Sequence, residues 1–577
     1  MINIEGNDFE NFDLIIQKIG FLALGILLIY LPYSIYDYVG YSGPFYIMIE
    51  FLLTVFGFSF ILLSTISGKR HNFSKKFLHM IIFVAILSVG TVIFIIGLSM
   101  KRSFTDEFAI EVLSAKRFLS GLNPYGIQYS IKAIESYGVS LSSLTPKLTG
   151  GYVTSLEYPD FSFLILIPFI LLHINPEIVL FIFTLLLLSL IALEFIEKEL
   201  AFMAPLALAV ALFNINLIFF SLNGITDVIW VTFLAASLIF LQKRFIPGIL
   251  YGLSLAAKQL PIFILPFLLI FVYKRYGFKK FVEFTVTAAL SFILINLPFI
   301  LMSPSSFFNS ILAPENAPIL GIGFGLSQFY FSGYIPFADR QFFTALMVSV
   351  WMMFIVIYMY KYDSLKYSLT ALPIIVLIFN FRLLENYLMY WPILTLSTLP
   401  YIIRKGNTSD SNEKLSLSNL KKLGNHFQIN GNKIQKIYKY LIPVLIVLII
   451  LIPTVVFVEN SSSYQQRIRI ESVTPEPMKA ANGEINCLYV NVSYSKQITN
   501  LSLRFRILED GFLNNPNGFF WNATVFKPAS GHYYTSYHIY TNDSNYFLEE
   551  HNTYVIIAYN SNLETWYHVD IGKALNI

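Results

Sequence analysis

Asp106 and Glu107 stand side by side just after a long apolar run, Phe77 to Leu98, with Lys101-Arg102-Ser103-Phe104-Thr105 between. Packing does not require two carboxylates there. Such a pair can act as an acid/base or ion site at a membrane boundary. Solvated loop charge is the plainer alternative. Beyond the pair, Phe108, Val112, Ala115, Phe118 and Leu119 recur at helical spacing, Glu111, Lys116 and Arg117 fall elsewhere, and Gly121 supplies a stop. This predicts an amphipathic helix lying in the membrane interface. Both carboxylates would sit at its N-terminus, where the helix dipole favours the ionised form that a general base requires. Acidic helix capping would look the same. Asn123-Pro124-Tyr125 then turns the chain, and Leu156-Glu157-Tyr158-Pro159-Asp160 brings it back to the membrane.

Lys258 lies between two apolar half-helices, in Lys258-Gln259-Leu260-Pro261. A lysine there is costly and faces a cavity or a partner, or snorkels to the interface. A broken helix also exposes backbone N–H groups that bind anions, so the position suits a phosphate or diphosphate. Arg382, in Asn380-Phe381-Arg382-Leu383-Leu384-Glu385-Asn386-Tyr387, could fork onto a phosphate or pair with Glu385. Tyr387, Tyr390 and Trp391 fit an interfacial aromatic belt, and such rings also stack on sugars.

These residues need a membrane to hold them. Of 577 residues, 56% are hydrophobic and 13% charged, and the mean hydropathy is +0.63. Many apolar runs approach the ~20 residues that cross a bilayer. The chain is predicted to be an all-α polytopic membrane protein of about thirteen spans. The net charge of +4 is dispersed in short basic clusters between spans, which mark topology rather than nucleic-acid binding. The single cysteine, Cys487, excludes an internal disulfide and any multi-cysteine metal site. Acidic residues among the first eighteen do not fit a cleavable signal peptide, so the first span is expected to stay.

Basic clusters at Lys69-Arg70, Lys243-Arg244, Lys274-Arg275, Lys361 and Arg404–Lys439 predict a cytoplasmic N-terminus and an extracytoplasmic C-terminus. That count holds only if Phe161–Leu172 does not cross and if 246–273 forms two short helices broken at Lys258. The acidic loop 101–160, Asp227 and Arg382 then share the outer face. The loop Asn407–Lys433 reads as a polar cytoplasmic linker. Residues 1–458 form the polytopic unit. Residues 459–577 alternate in short runs, at 487–492, 501–507, 532–540 and 553–559, which predicts a β-sandwich-like extracytoplasmic domain. Sequons at Asn460, Asn491, Asn500, Asn522 and Asn542 agree with an external tail.

The order of motifs resembles the GT-C superfamily of integral-membrane glycosyltransferases, and most closely its polyprenyl- or dolichyl-phosphate-mannose-dependent mannosyltransferases. The likeness rests on the acidic pair, Phe118-Leu119-Ser120-Gly121-Leu122-Asn123-Pro124-Tyr125, Tyr158-Pro159, Asn223-Gly224-Ile225-Thr226-Asp227, Gly252–Pro261, and Arg382 with Asn386-Tyr387. It covers roughly residues 77 to 400. The resemblance implies that an external-loop carboxylate is the catalytic base, carried onto Asp106 with Glu107 as second candidate. It implies a lipid-phosphate sugar as donor, with Lys258 and Arg382 on its phosphate. It assigns Asn123, Tyr125, Tyr158, Asp227, Gln259 and Tyr387 to substrate binding. Two departures stand out. Many relatives carry Gly-Gln before the aspartate, where this chain has Asn223-Gly224, and the hairpin 18–66 is extra.

The implied reaction moves a hexose, mannose by likeness, from a polyprenyl-phosphate donor to a glycan or lipid-linked acceptor in one inverting displacement at the outer face of the cell membrane. No cofactor is called for, although a divalent metal stays open. Membrane lipid is a partner and nucleic acid is not. A polytopic transporter or lipid-linked-sugar flippase would also use broken helices and buried charge. It would not need two external carboxylates.

Overall fold

The structure is a computed structural model. It describes residues 6–39, 44–66, 74–99, 104–198, 200–316, 319–321, 325–331, 333–335, 339–404, 447, 450–461, 467–477, 484–495, 498, 502–509, 518–527, 533–549, 552–560 and 563–575. The predicted linker 407–433 and most of the span at 438–458 lie outside them.

Among the described residues, five helices are long and apolar enough to cross a membrane: Asp13–Leu31, Ile47–Thr65, Ile178–Glu197, Phe278–Met302 and Arg340–Tyr360. Ala201–Phe213 and Asn216–Leu222, bent by 54°, make a sixth if they count as one. Thirteen spans are therefore not reached among the described residues. The shortfall is physical: Asp227–Ile239 has 13 residues and Leu372–Leu377 has 6. At ~1.5 Å per residue neither covers a ~30 Å core alone. Phe161–Leu171 is likewise too short to count.

The first two helices, Gly6–Val39 and Pro44–Ile66, meet through glycine. A Cβ on Gly25 would stand 2.6 Å from the Gly57 carbonyl, so the backbones touch where a side chain would wedge them apart. Deeper in the chain, Ile178–Glu197, Asp227–Ile239, Ile246–Ala257 and Glu385–Arg404 pack about fully buried Trp230, Trp391 and Tyr390. The predicted break is present. Ile246–Ala257 ends at Lys258, whose backbone is extended (φ −157°, ψ 156°), and a 3-10 turn Leu260–Ile264 leads into Leu265–Tyr276. Pro261 lacks an N–H and forbids continuation of the first helix.

The tail is one antiparallel sheet of eight strands: β1 Ile468–Pro477, β2 Glu484–Tyr494, β3 Arg504–Glu509, β4 Phe519–Lys527, β5 Tyr534–Tyr540, β6 Leu548–Glu549, β7 Thr553–Tyr559 and β8 Glu564–Asp570. Their order is β1-β2-β5-β4-β3-β7-β8, with β6 beside β2. This corrects the expected sandwich. β4 pairs with both β3 and β5, so the sheet is continuous. It curls until β1 meets β8 and the short helix Ile571–Leu575. Bulges at Ile470/Ser472, Glu476/Pro477 and Val525/Lys527 supply bending. The barrel-like interior holds Leu488, Val490, Val492, Phe505, Ile507, Ile539 and Ile556. On the outside of β7, Val555, Ile557 and Tyr559 pack against Leu320 and Leu148, which belong to the helical part. Arg506 reinforces this seam by donating to the Gly321 carbonyl at 3.0 Å.

Candidate active site

The helix Asp106–Leu119 begins where the sequence places it, with Asp106 and Glu107 in its first turn and Lys116 and Arg117 in its last. Gly121 follows it at φ +76°. Its environment differs from the interfacial expectation. Phe108, Ala109, Ile110, Glu111, Val112, Ser114 and Ala115 are all buried, so several faces are covered and not one stripe. The covering comes from Ile131–Glu135 and the short helices Phe161–Leu164 and Ile167–Leu171.

The two carboxylates point to different partners. Asp106 accepts from its neighbour's backbone N–H (Glu107, 2.9 Å) and from that of Thr145 (2.8 Å). It stays partly exposed. Burial raises its carboxyl above the ordinary range, opposed by the Thr145 hydrogen bonds and the nearby Arg382 guanidinium. Glu107 turns toward Lys258, whose Nζ stands 3.1 and 3.2 Å from its two oxygens. Thr226 donates to it as well. Burial raises Glu107, and the Lys258 charge pulls it back.

Lys258 is held from both sides. Its Nζ lies 2.6 Å from Asp227 Oδ1 and faces the Tyr158 ring at 4.9 Å and the Tyr387 ring at 5.7 Å. Asp227 is in turn bound by Trp230 Nε1 (2.7 Å) and by the Asn386 amide. Glu107, Tyr158, Asp227, Lys258 and Tyr387, which the sequence assigned to separate roles, therefore meet in one ionic knot. It can form because Lys258, freed by the helix break, projects at the level where Asp227 starts its helix and Glu107 starts another.

Arg382 sits apart from this knot and beside Asp106. It donates to the Leu320 carbonyl and to Thr145 Oγ1, both at 3.3 Å, and forms no salt bridge among the described residues. The expected alternative pairing, to Glu385, is not made, because Glu385 binds the Asn216 amide. Thr145 thus bridges Asp106 and Arg382. Gln259 donates to the carbonyls of Glu157 (2.6 Å) and Ile311 (3.2 Å), fixing the returning loop to the break. Glu157 is raised to about 7 by burial, with Arg382 opposing.

Asn123 and Tyr125 lie elsewhere. Asn123 Oδ1 accepts the Tyr125 N–H at 3.0 Å, a local turn bond, and its carbonyl accepts from Arg117. Tyr125 is buried among Phe163, Phe299 and Phe307, with its hydroxyl on the Tyr158 carbonyl at 2.8 Å. Both hold the loop's shape, and Tyr125 touches the knot's Tyr158 through that residue's carbonyl.

The sequence reading passed over Glu111 and Thr226. Glu111 is 1% exposed and takes a 3.2 Å hydrogen bond from Thr226, while its other oxygen has no partner among the described residues. Burial and the Glu107 charge push it well above the ordinary range. Its spacing of four from Glu107 was the available signal, since that spacing stacks both acids on one helix face.

Chemically, a partly exposed carboxylate stands near a guanidinium that makes no salt bridge among the described residues, and the neighbouring Glu107 belongs to the Lys258–Asp227–Glu107 knot. A base and an anion-binding cation in one place suit transfer of a group away from a phosphate. No curated protein and no solved structure matches the chain. Residues 156–382 match the sequence profile of glycosyltransferase family 87, a stretch holding Tyr158, Asp227, Lys258, Gln259 and Arg382 but beginning after the acidic pair. With the membrane-length helices, that match supports a glycosyltransferase enzyme carried on a membrane protein of GT-C type.

Proposed function

We propose that the chain transfers a hexose, mannose by family likeness, from a polyprenyl-phosphate donor to a glycan or lipid-linked acceptor at the outer membrane face. The observation that carries this reading is the Asp106–Thr145–Arg382 arrangement: a carboxylate and a cation that makes no salt bridge among the described residues, bridged by one residue. Residues 1–458 would form the transferase unit in a multi-pass topology of up to about thirteen crossings, with the β domain outside.

In the proposed displacement, Asp106 takes the acceptor hydroxyl proton as the oxygen attacks the anomeric carbon. The lipid phosphate departs with the bonding electrons, and Arg382 meets its growing charge. The inversion at the sugar carbon follows from single attack opposite the leaving group. Lys258 acts through the knot, pairing with Glu107 and Asp227 and facing the Tyr158 and Tyr387 rings. Gln259 ties the donor-side break to the Glu157 loop.

A lipid-linked donor explains why the chemistry is built into a membrane protein at all. The test is a donor comparison on the purified chain. Radiolabelled polyprenyl-phosphate-mannose should give labelled product, and a nucleotide-activated mannose should not. Transfer from the nucleotide donor alone would overturn the lipid-phosphate reading while leaving a glycosyltransferase.

A further inference from the structure

The outer face of the β domain gathers three metal-ligating side chains from three neighbouring strands. Glu476 comes from β1, Cys487 from β2 and His538 from β5. Cys487 Sγ lies 2.8 Å from His538 Nε2 and 3.6 Å from Glu476 Oε2. All three ligand atoms fall within 4.8 Å of one another. Register explains the convergence. Glu476 stands directly opposite Cys487, and His538 is opposite Tyr489, two residues along the same face of β2. The neighbouring interior positions, Leu488, Val490, Tyr537 and Ile539, alternate into the barrel core, so these three side chains are left on the outer face.

We propose that Glu476, Cys487 and His538 form a site for one divalent metal ion of the zinc type, three protein ligands with an open fourth position. Thiolate, imidazole and carboxylate together suit zinc and disfavour the hard cations calcium and magnesium. A tetrahedral zinc with S at ~2.3 Å and N or O at ~2.0–2.1 Å separates its ligand atoms by about 3.5 Å. The S···O distance already matches. The S···N pair, at 2.8 Å, is closer than in a zinc tetrahedron and must open by a small side-chain rotation when the metal enters. The imidazole lies between the Tyr489 and Tyr540 rings, at 5.2 and 5.3 Å, which hold its plane. Glu476 is exposed, so an ion has a way in.

The site does not depend on the transferase reading, and its test does not use activity. The full-length purified chain is stripped with a chelator, dialysed, and titrated with Co²⁺ as a spectroscopic stand-in for zinc. One equivalent should produce a near-ultraviolet thiolate-to-cobalt charge-transfer band and tetrahedral visible bands, both bleached by Zn²⁺. Cys487→Ser should abolish the thiolate band, and His538→Gln should weaken binding at least ~10-fold. Absence of any thiolate–cobalt band in the wild-type chain overturns the proposal. So does a band that persists in Cys487→Ser. The wild-type titration decides the question even if a variant folds poorly.

Discussion

At the scale of single residues, two neighbouring carboxylates differ in their partners. Glu107 is tied to Lys258 and Thr226, whereas Asp106 is held by the backbone N–H groups of Glu107 and Thr145 and by the Thr145 side chain, near Arg382; both stay partly exposed. Glu107→Gln should therefore reduce transfer less than Asp106→Asn, and mostly through loosened geometry. As a base, Asp106 must be ionised, so transfer should fall as pH drops through a midpoint above the ordinary aspartate value of ~3.9. A rate profile flat down to that value would count against it. Arg382→Met should lower turnover by ~10²–10³ with little change in thermal stability, measured as initial rate and melting temperature. Glu157 offers a stability test with a definite sign. Its folded carboxyl binds its proton more tightly than the unfolded one, so the stability it contributes is lost as pH rises from the ordinary carboxylate range to about 7. Glu157→Gln should remove part of that decline when melting is compared at ~pH 5 and ~pH 8. An unchanged slope would contradict the burial argument.

At the scale of elements, the helix break at Lys258 decides how the charge is used. The sequence showed the break, because Lys258-Gln259-Leu260-Pro261 cannot continue an apolar helix. It also showed the start of the Asp106 helix and its Gly121 stop. It did not show that Lys258 is shared by Glu107 and Asp227, because those partners are separated by over a hundred residues of chain and only the fold sets them together. The same limit hid Glu111: helical spacing alone reads it as solvated, and only the covering loop makes it buried. The β tail was legible where apolar residues alternate, at β2, β3, β5 and β7, and less so at β1, whose Ile468–Pro477 carries three charged residues. Its closure into a barrel was not legible, because pairing order is not written in periodicity. One prediction belongs here. Lys258→Met leaves two buried carboxylates without a cation and should destabilise the chain by about 3–5 kcal/mol. Adding Asp227→Asn to it should recover part of that loss. A single variant that melts like the wild type would show the knot to be dispensable.

At the scale of the molecule, Leu320 and Gly321 link the site to the β domain. The Leu320 carbonyl holds Arg382, and the next residue's carbonyl, on Gly321, holds buried Arg506. Tyr330 in the same stretch donates to Glu564 at 2.8 Å and packs on Trp566 at 5.3 Å. Displacing the β domain should therefore move Arg382 without touching it. Arg506→Leu is expected to lower transfer by roughly 10-fold or more while the polytopic part stays folded, since small misplacements at a reacting site are costly. Wild-type rates with a visibly loosened domain would uncouple the two. The most direct measurement of the central claim is transfer of labelled sugar from polyprenyl-phosphate-mannose by the Asp106→Asn chain, alongside its binding of the same donor. The account predicts that transfer is lost almost completely while donor binding stays near wild type, because the amide keeps size and hydrogen bonding but cannot take the acceptor's proton. Transfer at the wild-type rate by Asp106→Asn would contradict it.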